Sequence, residues 1–300
     1  MSKLIITKSV NEAFIEVLKS LYYKPDYISA PRGLETREIT GLLIQINNPH
    51  DRLVKNIYRN TSLEYLIGEW LWYERGSNSL KEISYYSKFW DKISDNGKTA
   101  NSAYGYRILG FIKSVNINQW EYAKNELIKD RDSRRAIINI YLPNDAKKNT
   151  KDLPCTIFLQ FMIRKNKLHL VANMRSNDII LGFTYDAACF TMFQEKMLIE
   201  LNKKYPSLKI GSYLHFTSSM HIYERHYSMM KKIIKETKNN LSINMPKMDN
   251  LDEIKNLQYN EKEIREGRIN HLRPLNDKFC RWCQSILLNK AKIIYERNNN

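Results

Sequence analysis

The stretch LPCTIFLQFMIRKNKLHLVANMRSNDIILGFTYDAACF, residues 153–190, decides the fold. Apolar residues alternate at Cys155, Ile157, Leu159, Phe161 and Ile163, and again at Leu168, Leu170 and Ala172, the period of half-buried strands. Asn166 and Lys167 fall between the two runs, where the chain can fold back as a hairpin. The period then changes. Ala188, Met192, Phe193 and Met197 recur at helical spacing and predict a long helix from about Tyr185 to Lys203. Outward from this core, Ala136, Ile138, Ile140 and Leu142 alternate as a further strand, Gly41 to Ile46 is a short aliphatic strand, and another is expected near Ile210 to Phe216. Helical stripes predict an early helix around Ala13, Phe14, Val17, Leu18 and Leu21, one from an N-cap at Ser62 through Glu74, one over Gln119 to Lys129, and one near Tyr223 to Lys235. Helices mixed with antiparallel strands give an α+β class.

Composition narrows the function. The 300 residues are 43% hydrophobic and 27% charged, which excludes a disordered or fibrous chain. Lys and Arg number 48 against 32 Asp and Glu, a net charge of +16, so anionic partners are favoured. That excess is spread along the sequence, without the basic tail of a nonspecific DNA binder. The longest apolar stretch, Leu63 to Tyr73, is broken by Glu64, Gly68 and Glu69, too polar to span a bilayer. A cytoplasmic location with no membrane partner is the expectation. Four cysteines are too few for a disulfide framework. Cys280 and Cys283 form a CxxC with no second ligand pair, so they read as small hydrophobes on a helix start, and no metal is expected. The aromatic residues Trp70 and Trp72 fall at core spacing, which argues against direct nucleic-acid binding.

Three stretches place reactive groups unusually. Leu153-Pro154-Cys155-Thr156 sets a cysteine at a strand start behind a proline. Asp132-Ser133-Arg134-Arg135 presents adjacent guanidiniums before a strand, forks that suit phosphate. Arg175-Ser176-Asn177-Asp178-Ile179-Ile180-Leu181-Gly182 follows a strand with a cation, a hydroxyl, a carboxylate and a glycine. In this order and at these separations they resemble the thymidylate synthase family, which carries a Pro-Cys nucleophile, an upstream Asp-Ser-Arg-Arg and a downstream Arg-Ser-x-Asp-x-x-Leu-Gly. Glu69-Trp70-Leu71-Trp72-Tyr73-Glu74-Arg75-Gly76 resembles the family's Trp-Glu-Leu-Leu-Trp-x-x-x-Gly helix. Trp90-Asp91, Tyr104-Gly105 and His221-Ile222-Tyr223 match its further landmarks.

The resemblance implies a catalytic domain over residues 1–245, with residues 246–300 a mostly helical extension. It also implies a mixed, antiparallel-rich sheet covered by helices, with one sheet face used for homodimerisation. Cys155 would add to C6 of a pyrimidine nucleotide and so activate C5, because the ring resists electrophiles until its 5,6 bond is saturated. Arg37, Arg175 and Ser176 would hold the phosphate, together with Arg134 and Arg135 reaching from the other subunit. His221 and Tyr223 would hold the sugar. Glu69 would move protons as the general acid/base. The implied co-substrate is 5,10-methylenetetrahydrofolate, its pterin held by Asp178 and its pocket lined by Phe89, Trp90, Leu181, Gly182 and Tyr185.

One departure bears on the substrate. After Leu181-Gly182 the family continues with a phenylalanine and then an asparagine that reads uracil; here the stretch is Phe183-Thr184-Tyr185-Asp186. Cytosine inverts the hydrogen-bond pattern of uracil, presenting an amino donor and a ring-nitrogen acceptor, and a carboxyl group sharing one proton can answer it. Asp186 therefore favours cytosine and the family's hydroxymethylase branch, in which water rather than hydride completes the one-carbon transfer to dCMP. Asp186 could also serve simply to favour the start of the following helix. Thymidylate synthase activity on dUMP, a ribonucleotide enzyme acting on CMP and a non-catalytic nucleic-acid-binding module stay open as alternatives. The Pro-Cys-Thr in place of the family's Pro-Cys-His is a second departure beside the nucleophile.

Overall fold

The computed structural model describes residues 3–110, 117–147 and 149–299. Along the chain run β1 (Lys3–Thr7), α1 (Val10–Tyr23), β2 (Tyr27–Ser29), β3 (Thr36–Ile46), α2 (Leu63–Glu74), α3 (Leu80–Ile83), α4 (Phe89–Ile93), α5 (Tyr104–Ile108), α6 (Gln119–Lys129) and β4 (Ile137–Asn139). There follow β5 (Thr156–Arg164), β6 (Lys167–Met174), β7 (Asn177–Asp178), α7 (Thr184–Asn202), β8 (Lys209–Tyr223), α8 (Tyr227–Lys235), α9 (Ile254–Arg265) and α10 (Lys278–Asn299). The protein is α+β, as expected. Its residues form two compact units: 1–61, 122–141 and 155–244 in one, and 62–121, 142–154 and 245–300 in the other.

The first unit holds the eight-stranded sheet, ordered β1-β3-β8-β6-β5-β4, with β2 added beside β3 and β7 beside β8. It is mixed: β1 runs parallel to β3, β6 and β7 parallel to β8, and the other pairs are antiparallel. Residues directly opposite one another share a face. The row Ile44–His215–Ala172–Leu159 and the row Ile46–Tyr213–Leu170–Phe161 are buried, against α1 and α7. The alternate row Leu4–Leu43–Phe216–Asn173–Phe158 is left half-buried or exposed.

Within this sheet the hairpin of β5 and β6 forms where the alternation places it, and Leu168, Leu170 and Ala172 are fully buried. Two details differ from the sequence reading. The turn residues are Lys165 and Asn166, both at positive φ, with Arg164 and Lys167 paired across the turn. This is the mirror-image geometry whose twist matches the flanking strands. The register also shifts between Thr156 and Phe158, so Thr156 is buried while Cys155 and Ile157 are only half-buried. A bulge of this kind re-aims the side chains before it, which removes Cys155 and Ile157 from the run of Leu159, Phe161 and Ile163. Strand β8 is longer than its apolar core suggests, 15 residues. It carries His221-Ile222-Tyr223 as a strand end, and helix α8 starts only at Tyr227.

The second unit is helical. Helix α2 is capped as its sequence predicts, the Ser62 hydroxyl accepting from the Tyr65 amide at 3.1 Å, and it ends before Gly76, whose φ of +59° suits a glycine. Leu66 through Tyr73 are all buried, the mark of a helix enclosed on every side. A Cβ on Gly105 would lie 2.0 Å from the Tyr73 backbone, so only glycine lets α5 approach α2. Trp70 meets Phe279 of α10 edge-on, ring centres 5.3 Å apart, and Tyr86 donates to Glu261 of α9 at 2.7 Å. Cys280 and Cys283 are fully buried on α10, and burial pushes the Cys280 thiol far up, as fits packing rather than chemistry.

Candidate active site

In the sheet unit, Cys155 stands immediately before β5, half-buried behind the buried Pro154. Its carbonyl accepts from the Arg175 amide at 2.9 Å, so the ends of β5 and β6 carry the cysteine and the arginine as neighbours. Arg175 is exposed and Ser176 half-buried. They occupy the step between β6 and β7, two strands that pair in turn with the same edge of β8.

That step leads into a tight corner. Asp178 on β7 accepts from the Ile180 amide at 2.7 Å and the Leu181 amide at 3.3 Å, capping a π-helical turn over Ile179–Phe183 that runs directly into α7. Such wide turns recur at functional sites because they re-aim neighbouring side chains. The second carboxylate oxygen of Asp178 is buried without a hydrogen-bond partner. Leu181 is 46% exposed, and Gly182 and Tyr185 are half-buried.

Asp186 lies in the first turn of α7 and does not cap it; the residue at the cap is Phe183, with no side-chain hydrogen bond. Its Oδ2 instead accepts from the Asn177 carboxamide at 2.7 Å. Burial raises the carboxyl to about 7, against the lowering effect of that hydrogen bond. Its neighbour Tyr213 is raised well above the ordinary phenol range, first by burial and then by the Asp186 charge.

Beside Asp178, across the parallel pairing of β7 and β8, sits His221, and on the other side of β8 Glu38 of β3 pairs with His221. Burial lowers the imidazole, while Asp178, the Ser219 carbonyl and Glu38 oppose that shift and Arg32 adds to it. Tyr223 stacks edge-on against His221 at 5.1 Å and lies under the Arg225 guanidinium at 4.4 Å.

Arg37, expected at the phosphate, packs among aromatic rings. On β3 its Nη1 donates to the Tyr22 carbonyl at 2.8 Å, and its guanidinium packs over Tyr22 and Tyr227 at 5.6 and 4.9 Å. Its Nε is buried without a hydrogen-bond partner. The arginine whose charge reaches His221 is Arg32, exposed on a turn at φ +57° beside Gly33. Arg134 and Arg135 are both exposed and line a surface depression with Glu126, Lys129, Asp130, Asp132 and Ser133. The Arg134 carbonyl accepts from Gln160 of β5, and the Ser133 hydroxyl from the Arg135 amide, which fixes the backbone while leaving both guanidiniums outward.

The helical unit holds its own cluster. Glu69 on α2 is 5% exposed, and the Tyr65 hydroxyl one turn earlier donates to it at 2.6 Å. The Trp90 indole of α4 donates in turn to the Tyr65 oxygen at 3.1 Å. Trp90 is 8% exposed and packs against Trp72 at 5.3 Å, whereas Phe89 is 54% exposed.

The sequence reading missed several of these side chains. Tyr65 could have been found from its i, i+4 spacing to Glu69 on a confidently placed helix. Arg32 had a turn signal in Pro31 and Gly33. Asn177 sat at the variable position of its motif and carried no signal. Arg59 was also missed: its Nε donates to the Ile180 carbonyl at 2.8 Å, its guanidinium lies 5.3 Å from the Tyr185 ring, and its Nη2 is buried without a hydrogen-bond partner.

Among the described residues no helix is long and apolar enough to cross a membrane, and no three His, Cys, Asp or Glu side chains stand together as a metal set. Comparison with known proteins matches residues 12–269 to the family model described as thymidylate synthase. The deoxyuridylate hydroxymethyltransferase of Bacillus phage SP01 is 29% identical over 222 residues, 71% of this chain but only 56% of that protein. The deoxycytidylate 5-hydroxymethyltransferases of Enterobacteria phages T6 and T4 are each 30% identical over 212 residues, 68% of this chain and 82% of theirs. The thymidylate synthase of Fusobacterium nucleatum is 30% identical over 171 residues, 56% of this chain and 59% of that protein.

Proposed function

The chain belongs to the thymidylate synthase family, and from that premise we propose that it is a deoxycytidylate 5-hydroxymethyltransferase acting on dCMP. The observation that carries this reading is the carboxyl group of Asp186, raised by burial to about 7 and hydrogen-bonded by Asn177. A carboxyl at that value is about half protonated near neutral pH, so the protonated form is readily available. It can accept from the cytosine amino group through one oxygen and share the proton with N3. Leaving either partner unsatisfied costs roughly 1–3 kcal/mol, about 5- to 150-fold in discrimination.

In this reading the Cys155 thiolate forms a bond to C6 and pushes electron density onto C5. The co-substrate 5,10-methylenetetrahydrofolate supplies the one-carbon unit to C5, and with water the products are 5-hydroxymethyl-dCMP and tetrahydrofolate. The C5 proton is lost and the S–C6 bond breaks to release Cys155. Glu69, buried and hydrogen-bonded to a tyrosine hydroxyl, is suited to taking and returning the protons. Arg175 and Ser176, with Arg32, would hold the phosphate, and His221 and Tyr223 the sugar. The partnerless buried oxygen of Asp178 fits a pterin amino donor, with Leu181, Gly182 and Tyr185 as pocket walls. Arg59, beside Tyr185, suits an anionic folate tail.

Homodimerisation belongs to the same proposal. The outward rows Leu4–Leu43–Phe216 and Ile6–Gln45–Leu214–Val171 give the sheet a largely apolar face, Leu4 and Ile6 being more than half exposed. A second copy covering that face would remove it from water. Arg134 and Arg135, exposed and outward, would then be the groups offered to the partner's phosphate.

The test is a substrate panel of dCMP, CMP and dUMP with methylenetetrahydrofolate, read by product mass and by dihydrofolate absorbance. A gain of CH2O on dCMP without dihydrofolate is expected, and Cys155→Ser should abolish it while nucleotide binding persists. Dihydrofolate formed from dUMP would make the protein a thymidylate synthase. CH2O gained by dUMP in preference to dCMP would overturn the base assignment, in the direction of the activity named for the SP01 relative.

A further inference from the structure

A neutral carboxyl group free to turn over would not choose between the two pyrimidines. A neutral carboxylic acid presents one acceptor and one donor side by side. Turned one way it accepts from the cytosine amino group and donates to N3; turned the other it donates to uracil O4 and accepts from N3–H. Discrimination therefore needs something that fixes which oxygen bears the hydrogen. We propose that Asn177 is that positioning residue: its carboxamide holds Asp186 Oδ2 as an acceptor, so that the carboxyl hydrogen resides on Oδ1 and the site reads cytosine. The inference rests on the hydroxymethyltransferase reading above.

Three observations carry it. Asn177 is 2% exposed and its backbone is paired with Met220 in the sheet, so the side chain starts from a rigid strand. Its Nδ2 faces two acceptors, Asp186 Oδ2 at 2.7 Å and Met174 Sδ at 3.2 Å. Reversing the amide would lose the donor contact to the Met174 sulfur and would need the carboxyl hydrogen on Oδ2, so the sulfur favours the donor direction seen. Finally, a Cβ on Gly182 would lie 2.8 Å from Asn177 Nδ2 and 3.3 Å from Asp186 Oδ2. The absent side chain at Gly182 is thus what lets the pair close.

The surroundings leave Asn177 as the determinant. Tyr213 of β8 also faces Asp186, but its phenol is held neutral by burial and is engaged with His215 Nδ1 at 2.8 Å. His215 itself is driven down to about 3 by burial and stays uncharged. Cys189, the remaining titratable neighbour of Tyr213, is fully buried on α7.

The experiment measures calorimetric binding and kcat/KM for dCMP and dUMP on the full-length protein, its Asn177→Leu and Asn177→Ser variants, and Gly182→Ala, which disturbs the pair from the opposite side. Folding is checked by Tm. The expected result is a fall in the dCMP-to-dUMP ratio of about tenfold or more, with dUMP binding kept or improved. A merely structural role would weaken both nucleotides in parallel, and a ratio within about twofold of wild type in any folded variant would overturn the role of Asn177. A wild-type protein that itself prefers dUMP would instead sink the hydroxymethyltransferase reading on which the inference stands.

Discussion

Glu69 and Asp186 are both carboxyl groups withdrawn from bulk water, but they are held by opposite kinds of neighbour. Glu69 receives its hydrogen bond from the Tyr65 hydroxyl, which itself accepts from the Trp90 indole. The Tyr65 hydroxyl thus both accepts and donates, with the indole fixing its oxygen and its hydrogen directed at Glu69. Asp186 receives its bond from a carboxamide nitrogen, a donor that cannot accept a proton in return. The first arrangement suits a group that moves protons during turnover, and the second a group that keeps one in place while a base is read. In the proposed reading, the same side-chain chemistry would be given two tasks by the partners beside it.

Removing the charge from the first group gives the largest expected effect. Glu69→Gln should lower kcat by about 10²–10⁴ with dCMP and with dUMP alike; a loss confined to one nucleotide would mean that Glu69 also reads the base. Asp186→Asn should act the other way round. It should shift the dCMP-to-dUMP preference towards dUMP by about 5- to 150-fold, and an unchanged preference would break the contrast between the two carboxyls.

Tyr65→Phe tests the support given to Glu69 more gently. It deletes one hydroxyl and leaves the ring, so kcat should fall roughly 3- to 10-fold with KM for the nucleotide little changed. An unaltered kcat would reduce Tyr65 to packing.

The smallest effect is on stability, and its sign follows from burial. Asp186 binds its proton more tightly folded, at about 7, than unfolded, near the ordinary carboxylate value. Its contribution to stability is therefore fully present below about pH 4 and lost as the pH rises through about 7. Asp186→Asn has no proton to lose, so its Tm relative to wild type should rise between about pH 5 and about pH 8. A pH-independent difference would show a carboxyl that stays in water.

Much of this was legible in the residues. The alternation of β5 and β6, the Ser62 cap and the Gly76 stop of α2, and the landmarks around Cys155, Glu69 and His221 are local patterns, and local patterns survive into the fold. What was not legible depended on distant partners. The packing of Arg37 over Tyr22 and Tyr227 joins residues far apart in sequence and has no local signal. Tyr223 looked like a helix start because its pairing with Thr36 of β3, which extends β8, is written elsewhere in the sequence.

The order of residues alone determined the fold class, the Pro-Cys step at residues 154–155 and the replacement of the family's carboxamide by a carboxyl at Asp186, because each is a matter of residue identity and spacing. Tertiary structure decided how Cys155 leaves the run of its strand at a bulge, and that Asp186 turns to Asn177 instead of capping its helix. It also decided why nothing larger than glycine stands at position 182. Those outcomes turn on contacts of a few ångströms between segments whose separation along the chain gives no sign that they will meet.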